Sequence, residues 1–479
     1  MKKVHHRFAF RKARPGPIKY LGGGLLGFMA VLVLVFFLAA CGGQVATTTT
    51  SGPTADPNIK AAQTFVSLLA SGNFAAAERQ FDAAVRQALP ESQLQTVWQA
   101  LEGQTGRYQS QVGVRTVRQA PYDAVFVTIQ CANAKVDVEV TYDSQGQVAG
   151  LHFLPAGSST TSSTVAYKAP AYVDPAAFTE QPVTVGAGTP WALPGTLSLP
   201  KGSGPFPVVV LVQGSGPSDR DETIGPNKPF RDLAWGLASQ GVAVLRYDKR
   251  TFVYPTQVEA EISTFTVQQE SIDDALAAAK LVRGLPRIDG TRIYVLGHSL
   301  GAMAAPRIGE QDPSLAGLIV MAGPTRPLED VILDQETYLA SLNGGPTASQ
   351  AAQLKQLQAQ IARVKDPHLS TSTPAQDLPL GLSAAYWLDL RGYQPAVVAK
   401  TLTMRLLVLQ GARDYQVTTQ DFAGWQAALS GRANAKLILY PDLNHLFMAG
   451  TGKSTPAEYE QPGHVDKQAI ADIATWIKS

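Results

Sequence analysis

With 479 residues, 45% of them hydrophobic and 16% charged, the chain can bury a large core and is too long for one ordinary domain, and a disordered composition is excluded. The formal net charge of +2 hides an asymmetry. Seven of the 40 Lys and Arg lie in residues 1–40, which hold no Asp or Glu, so the rest carries 33 basic against 38 acidic residues. Such a body offers no basic stripe for a phosphate backbone, and nucleic acid is not an expected partner.

The N-terminal basic stretch leads into an apolar run from Leu25 to Ala40, short for a membrane span and suited to the apolar segment of a signal peptide. It ends in Leu38-Ala39-Ala40-Cys41-Gly42, which resembles the lipobox of bacterial lipoproteins, where cleavage precedes a cysteine that receives lipid. The polar tract Thr47–Pro53 then reads as a flexible stalk. The expectation is a signal peptide over 1–40, a tether over 41–57, and an exported body held at the outer face of the cell membrane through lipidated Cys41. An uncleaved anchor helix is the alternative. Cys131 is then the remaining thiol, expected to be buried and inert. Two cysteines exclude an internal disulfide once Cys41 is lipidated, and they exclude a cysteine-built zinc or iron–sulfur site.

Over 58–155 helical spacing comes first, at Phe65, Leu68 and Leu69, at Phe74, Ala77 and Phe81, and at Leu94, Val97, Trp98 and Leu101. Alternating strand-like runs follow at Tyr122–Cys131, Lys135–Tyr142 and Val148–Phe153. Helices on one face of an antiparallel sheet make a small α+β domain. It resembles the cone-shaped NTF2-like domains that precede some bacterial hydrolases; such cones can enclose a ligand, and the domain is read here as a packing or spacer module. A Ser/Thr-rich linker occupies 156–172.

From 173 to 479 the rhythm changes. Nearly continuous apolar runs at Pro207–Gln213, Val242–Asp248, Ile293–His298, Leu315–Ala322, Leu406–Gln410 and Lys436–Tyr440 alternate with helical stretches at Asp232–Gln240, Val267–Gly284 and Thr419–Leu429. Strands without polar alternation are buried on both faces, which means a mostly parallel sheet between helices. Residues 324–400 interrupt this rhythm with a clear helix at Ser349–Lys365 and another at Tyr386–Lys400 interrupted by Pro395, an arrangement suited to a helical cap.

The chemistry centres on Gly297-His298-Ser299-Leu300-Gly301, which follows one apolar strand and precedes an Ala-rich helix, the setting a nucleophile elbow needs. Ser299 must sit on a tight turn, and Gly297 and Gly301 leave room where a Cβ would clash. A serine hydroxyl needs a base, and the base needs an orienting carboxylate. Asp414 and His445 follow the next strands but one and two, in the order Ser, Asp, His. The rivals are weaker: His464 follows no strand, His298 should point into the fold, His152 lies in the first domain, His368 lies in the insertion, and Asp442 is too near His445 in the same loop. The oxyanion is assigned to the backbone N–H groups of Leu300 and Ser215, the latter in the loop Gly214–Glu222. Asp219 to Glu222 reads as solvated loop or salt-bridged brace.

Together, Gly214–Glu222, Arg246-Tyr247-Asp248-Lys249-Arg250, the elbow, Asp414 and His445 resemble the α/β-hydrolase superfamily over 173–479. They resemble in particular a bacterial branch near the serine aminopeptidase-like and dienelactone-hydrolase-like families, which includes carboxylesterases and cinnamoyl and feruloyl esterases. The resemblance implies cleavage of a small-molecule carboxylic ester through an acyl-enzyme, with no metal or organic cofactor. Gln213-Gly214 departs from the His-Gly of many members. Phe252, Tyr254, Tyr386, Trp387, Tyr393 and Phe447 are candidates to line an acyl or aryl pocket, and each is equally readable as core. A peptidase or amidase of the same fold and a non-catalytic envelope binding protein are the alternatives.

Overall fold

The computed structural model describes residues 57–82, 85–86, 89–119, 122–143, 145–155 and 167–479. The signal peptide, Cys41, the tether and most of the linker lie outside the described residues. The chain divides into two compact units.

In the first unit, helices Pro57–Ala70, Phe74–Glu78 and Glu91–Thr105 precede four antiparallel strands, β1 (Tyr108–Gln119), β2 (Tyr122–Cys131), β3 (Lys135–Tyr142) and β4 (Val148–Pro155), in that order across the sheet. Every second residue of β2 (Val125, Val127, Ile129 and Cys131) enters a core with Phe65, Leu69, Phe81 and Trp98, as the two-residue period of a strand requires. β1 was not anticipated. It pairs with β2 alone, is rich in Gln, Ser and Arg, and leaves Val112 and Val114 exposed, so it lacks the apolar alternation that marks a core strand.

The second unit is built on eight strands: β5 (Phe178–Val185), β6 (Leu193–Pro200), β7 (Phe206–Val212), β8 (Ala243–Tyr247), β9 (Ile288–His298), β10 (Gly317–Met321), β11 (Arg405–Gly411) and β12 (Ala435–Tyr440). They lie in the order β12-β11-β10-β9-β7-β8-β6-β5. β7 to β12 are mutually parallel, and β5 and β6 run antiparallel at one edge. Val208, Val210, Leu245, Val295, Val320 and Val408 face helices Asp273–Arg283 and Leu300–Gln311. Val209, Leu211, Val244, Leu296, Ile319 and Leu407 face helices Pro229–Ala238 and Lys467–Lys478. Both sides of each central strand are thus apolar, which is why those strands read as unbroken runs.

The edge hairpin β5–β6 was also missed. β5 carries Glu180, Gln181 and Pro182 on a mostly exposed ribbon, and Pro is confined to strand edges because it cannot donate to a ladder. The insertion before β11 contains helices Leu328–Ser341, Ala348–Lys365, Ala384–Leu390 and Pro395–Thr401. The first of these was unforeseen. Pro395 starts a new helix at its first position, where a missing N–H costs nothing, rather than kinking a continuous one. The stretch expected as one helix from Val267 opens with a π-helical turn, Gln268–Ile272, before Asp273–Arg283.

Candidate active site

β9 ends at His298, helix Leu300–Gln311 begins one residue later, and Ser299 between them has φ 54° and ψ −115°. A non-glycine residue in this region is strained and persists only where its surroundings impose it. Here a Cβ on Gly297 would strike the Gly301 carbonyl, and one on Gly301 would strike the carbonyls of Val212 and Gln213 at the end of β7. The turn is therefore pressed against the neighbouring strand, and the Ser299 N–H donates to the Met321 carbonyl of β10 (3.0 Å). Ser299 is half-buried, while His298 and Leu300 on either side are buried. Leu300 is the first helical residue, whose N–H has no acceptor within the helix and lies at the positive end of its dipole.

The loop after β7 lies beside the serine, since a Cβ on Gly214 would come within 3.2 Å of the Ser299 Cβ. Ser215 follows it and is exposed. Gln213 turns its amide into the sheet, where it donates to the Tyr247 carbonyl, so the departure from His-Gly leaves the backbone course beside Ser299 in place.

Asp414 and His445 are brought together. Asp414 Oδ2 lies 2.7 Å from His445 Nδ1, and both side chains are buried. Asp414 Oδ1 accepts from the N–H groups of Gln416 (2.7 Å) and Val417 (3.0 Å), and Oδ2 also accepts from Gln410 Nε2 (3.2 Å). The His445 loop is braced by Asn444, whose Oδ1 accepts from the N–H groups of Leu446 and Met448 (both 3.0 Å). Ser299 Oγ and His445 share no hydrogen bond among the described residues, and catalytic contacts of this kind often close only with substrate bound. The elbow and the histidine loop meet through His298, whose Nε2 lies 3.0 Å from the His445 carbonyl oxygen and whose ring centre is 4.7 Å from that of His445.

The rivals are placed elsewhere. Asp442 is exposed, His464 lies against Asp232, His368 is exposed beside Asp366, and His152 lies near Glu139 in the first unit.

The acidic run after Gly214 is a brace. Asp221 is paired with Arg246, with Arg231 (2.5 Å) and with Lys228 (3.5 Å). Burial pushes its pKa up, and these cations outweigh that and hold it below the usual carboxylate value. Glu222, with a positive φ of 50°, accepts the Gly214 N–H at Oε1 (2.7 Å) and brings Oε2 to 3.0 Å from His298 Nδ1. One buried carboxylate thus holds both the loop after β7 and the residue before Ser299. Nothing periodic in the sequence marks it; the available signal was an acidic residue close behind an apolar strand.

Burial disfavours the charged form of His298, but Glu222 and the His445 carbonyl outweigh it and raise its pKa. A raised folded pKa gives stability that is complete below the unfolded value of about 6.5 and is lost as pH rises through the folded value. Glu222→Gln keeps an acceptor for Gly214 and removes the charge. Thermal unfolding followed from about pH 6 to pH 9 is expected to show a steeper fall in Tm for the wild type than for this variant; parallel curves would show that the pair is not charged.

Two of the aromatic candidates are corrected. Phe447 is 0% exposed and packs edge-on to Tyr440 in the core under helix Lys467–Lys478, and Trp387 is 1% exposed in the insertion's own core with Ile332, Leu357 and Ile361. Neither presents surface to a ligand, because large apolar rings gain most by full burial. Tyr386 and Tyr393 are also nearly buried, with their hydroxyls donating to Glu270 Oε2 (2.7 Å) and to the Met303 carbonyl (2.6 Å). Phe252 and Tyr254 are half-buried, and Tyr254 donates to the Ala192 carbonyl (2.6 Å).

A strained serine between a parallel strand and a helix, with a buried Asp–His pair on the loops after β11 and β12, defines a hydrolase of the α/β type. The chain belongs to the alpha/beta hydrolase family, whose model matches residues 209–461. It is 43% identical over 413 residues to the esterase EstD of Thermotoga maritima, covering 86% of this chain and 93% of that protein. It is 26% identical over 159 residues to the esterase FrsA of Klebsiella pneumoniae, 33% of this chain and 34% of that one. Among solved structures, Est1E from Butyrivibrio proteoclasticus is similar at 16% identity and a TM-score of 0.40, covering 62% of this chain and 99% of that chain. Residues 62–151 match a family of proteins of unknown function, DUF3887.

Proposed function

We propose that this protein is a serine esterase acting on small carboxylic esters. The observation that carries the reading is the buried Asp414–His445 pair beside the elbow that bears Ser299, in a chain 43% identical over most of its length to an esterase. His445 takes the Ser299 proton as the hydroxyl oxygen attacks the ester carbonyl. Asp414 holds the imidazole at Nδ1 and stabilises its positive charge. The N–H groups of Leu300 and Ser215 receive the carbonyl oxygen as it becomes an oxyanion. His445 then returns the proton to the departing alkoxide; a water that gives its proton to His445 attacks the acyl-enzyme, and His445 passes that proton to Ser299 Oγ as the carboxylic acid leaves. Phe252 and Tyr254 are the aromatic residues left with surface for an acyl or aryl group.

The test is hydrolysis of p-nitrophenyl esters from acetate to decanoate beside aminoacyl-anilides of matched size. Turnover of esters with anilides inert is the expected result. Anilide turnover at comparable kcat/KM would make the protein an amidase or peptidase, and labelling of Ser299 by a phosphonate with neither substrate turned over would leave the serine reactive and the substrate class wrong. Folded protein without turnover or labelling would favour a non-catalytic binding protein.

We also propose that the chain is exported and held at the outer face of the cell membrane through Cys41, on the strength of the apolar run and the small-residue stretch before that cysteine. Cys41→Ser is expected to move the protein from the membrane fraction to the soluble exported fraction; retention with the membrane would favour an uncleaved anchor.

A further inference from the structure

Both backbone polar groups of Gly214, the residue against Ser299, are held. Its N–H donates to Glu222 Oε1 (2.7 Å), and its carbonyl accepts from Lys249 Nζ (2.6 Å). A trans peptide is planar, so the Gly214 carbonyl and the Ser215 N–H point in opposite directions. A cation that fixes the carbonyl on one side therefore fixes the direction of the Ser215 N–H on the other.

Lys249 is 2% exposed, and a buried ammonium needs partners to stay charged. Besides Gly214 it has Glu270 Oε1 at 2.6 Å. The other oxygen of Glu270 accepts from the Tyr386 hydroxyl at 2.7 Å. Burial, with Glu270 beside it, pushes the Tyr386 phenol well above its ordinary pKa, so it remains a donor. Glu270 projects from the π-helical turn Gln268–Ile272, a distortion often found at functional sites, and Tyr386 belongs to helix Ala384–Leu390 of the insertion. Three segments distant in sequence, at Lys249, Glu270 and Tyr386, are thereby tied, bond by bond, to the peptide beside the serine.

We propose that Lys249, clamped by Glu270 and through it by Tyr386, is a positioning residue that orients the Gly214–Ser215 peptide so that the Ser215 N–H serves as an oxyanion donor. This rests on the esterase reading of Ser299 and Ser215. The insertion then contributes to the site, because its Tyr386 hydroxyl completes the clamp on the oxyanion loop.

The double variant Lys249→Met/Glu270→Gln removes both charges, so neither is left buried alone. Reactive serines are counted by phosphonate titration of the full chain, and kcat is expressed per reactive serine. Loss of one oxyanion donor costs about 100-fold or more, so kcat per site is expected to fall about 100-fold with KM within about threefold of the wild type. A trifluoromethyl ketone, whose adduct places an oxyanion in the hole, should lose affinity in parallel. A merely structural pair would lower the number of reactive sites or Tm and leave kcat per site unchanged; that result overturns the proposal. Tyr386→Phe, which keeps the ion pair, should lower kcat per site by about threefold to tenfold, and it carries the test if the double variant does not fold. Ser299→Ala is run beside them: full turnover there refutes the serine reading itself, whereas an inert Ser299→Ala with unchanged kcat per site in the Lys249 and Tyr386 variants refutes this inference alone.

Discussion

Ser299→Ala is expected to lower kcat on p-nitrophenyl esters by about 10⁶-fold, with some rate above the uncatalysed reaction left by the oxyanion donors and substrate binding. The size of the loss follows from removing the atom that forms the acyl-enzyme, after which His445 and Asp414 have no hydroxyl to activate. The fold should tolerate the change. The strained φ of Ser299 is as unfavourable for alanine as for serine, the turn is imposed by Gly297, Gly301 and the end of β7, and the Ser299 backbone N–H keeps its bond to Met321. Steady-state kinetics beside thermal unfolding check both parts. An unchanged Tm with turnover within about 100-fold of the wild type would remove Ser299 from the chemistry.

Asp414→Asn should cost about 10⁴-fold in kcat. The argument is one of donors and acceptors. Asp414 Oδ1 accepts two backbone N–H groups, and Oδ2 accepts from His445 Nδ1 and Gln410 Nε2. In asparagine the carbonyl oxygen can keep the two backbone bonds, which puts the NH₂ group against His445. His445 then presents an unprotonated Nδ1 and carries its proton on Nε2, the nitrogen that must receive the serine proton. The site is intact in shape and blocked in tautomer. Imidazole proton and nitrogen resonances of His445 would report the switch directly, and a loss in kcat of less than about tenfold would mean that the carboxylate does not orient the base.

The parts of this molecule legible in the sequence are those where a local rule is forced. The central strands β7 to β11 could be read because their two faces meet separate helical layers, which leaves few positions for a polar residue. Ser299 could be read because its turn needs glycines at 297 and 301, and Asp414 and His445 because each follows such a strand. β1 and β5 were invisible for the opposite reason: edge strands bury little, and Pro182 and the polar face of β1 look like loop; β6 is mostly buried, but Pro194, Gly195, Thr196 and Ser198 interrupt its apolar run. The aromatic candidates failed at Phe447 and Trp387 because residue type says that a ring will be buried, not against what. The partners that clamp Gly214 could not be paired from the sequence. Glu222 is eight residues away and Lys249 thirty-five, and a single charged residue at such a distance carries no period that could announce its partner.

The strand order has a consequence for when the protein becomes active. Ser299 lies between β9 and the helix leading to β10, but Asp414 and His445, the acid and base proposed for it, follow β11 and β12, which add to the sheet on one side only and come after the whole insertion. An intermediate closed through β10 would display a serine on its elbow with nothing to deprotonate it. Long-range parallel pairing is slow because the intervening chain must be ordered first. On the mechanism proposed above, hydrolytic competence requires β11 and β12 both to have docked. In a refolding experiment the return of ester turnover times that docking, not the earlier collapse of the central strands.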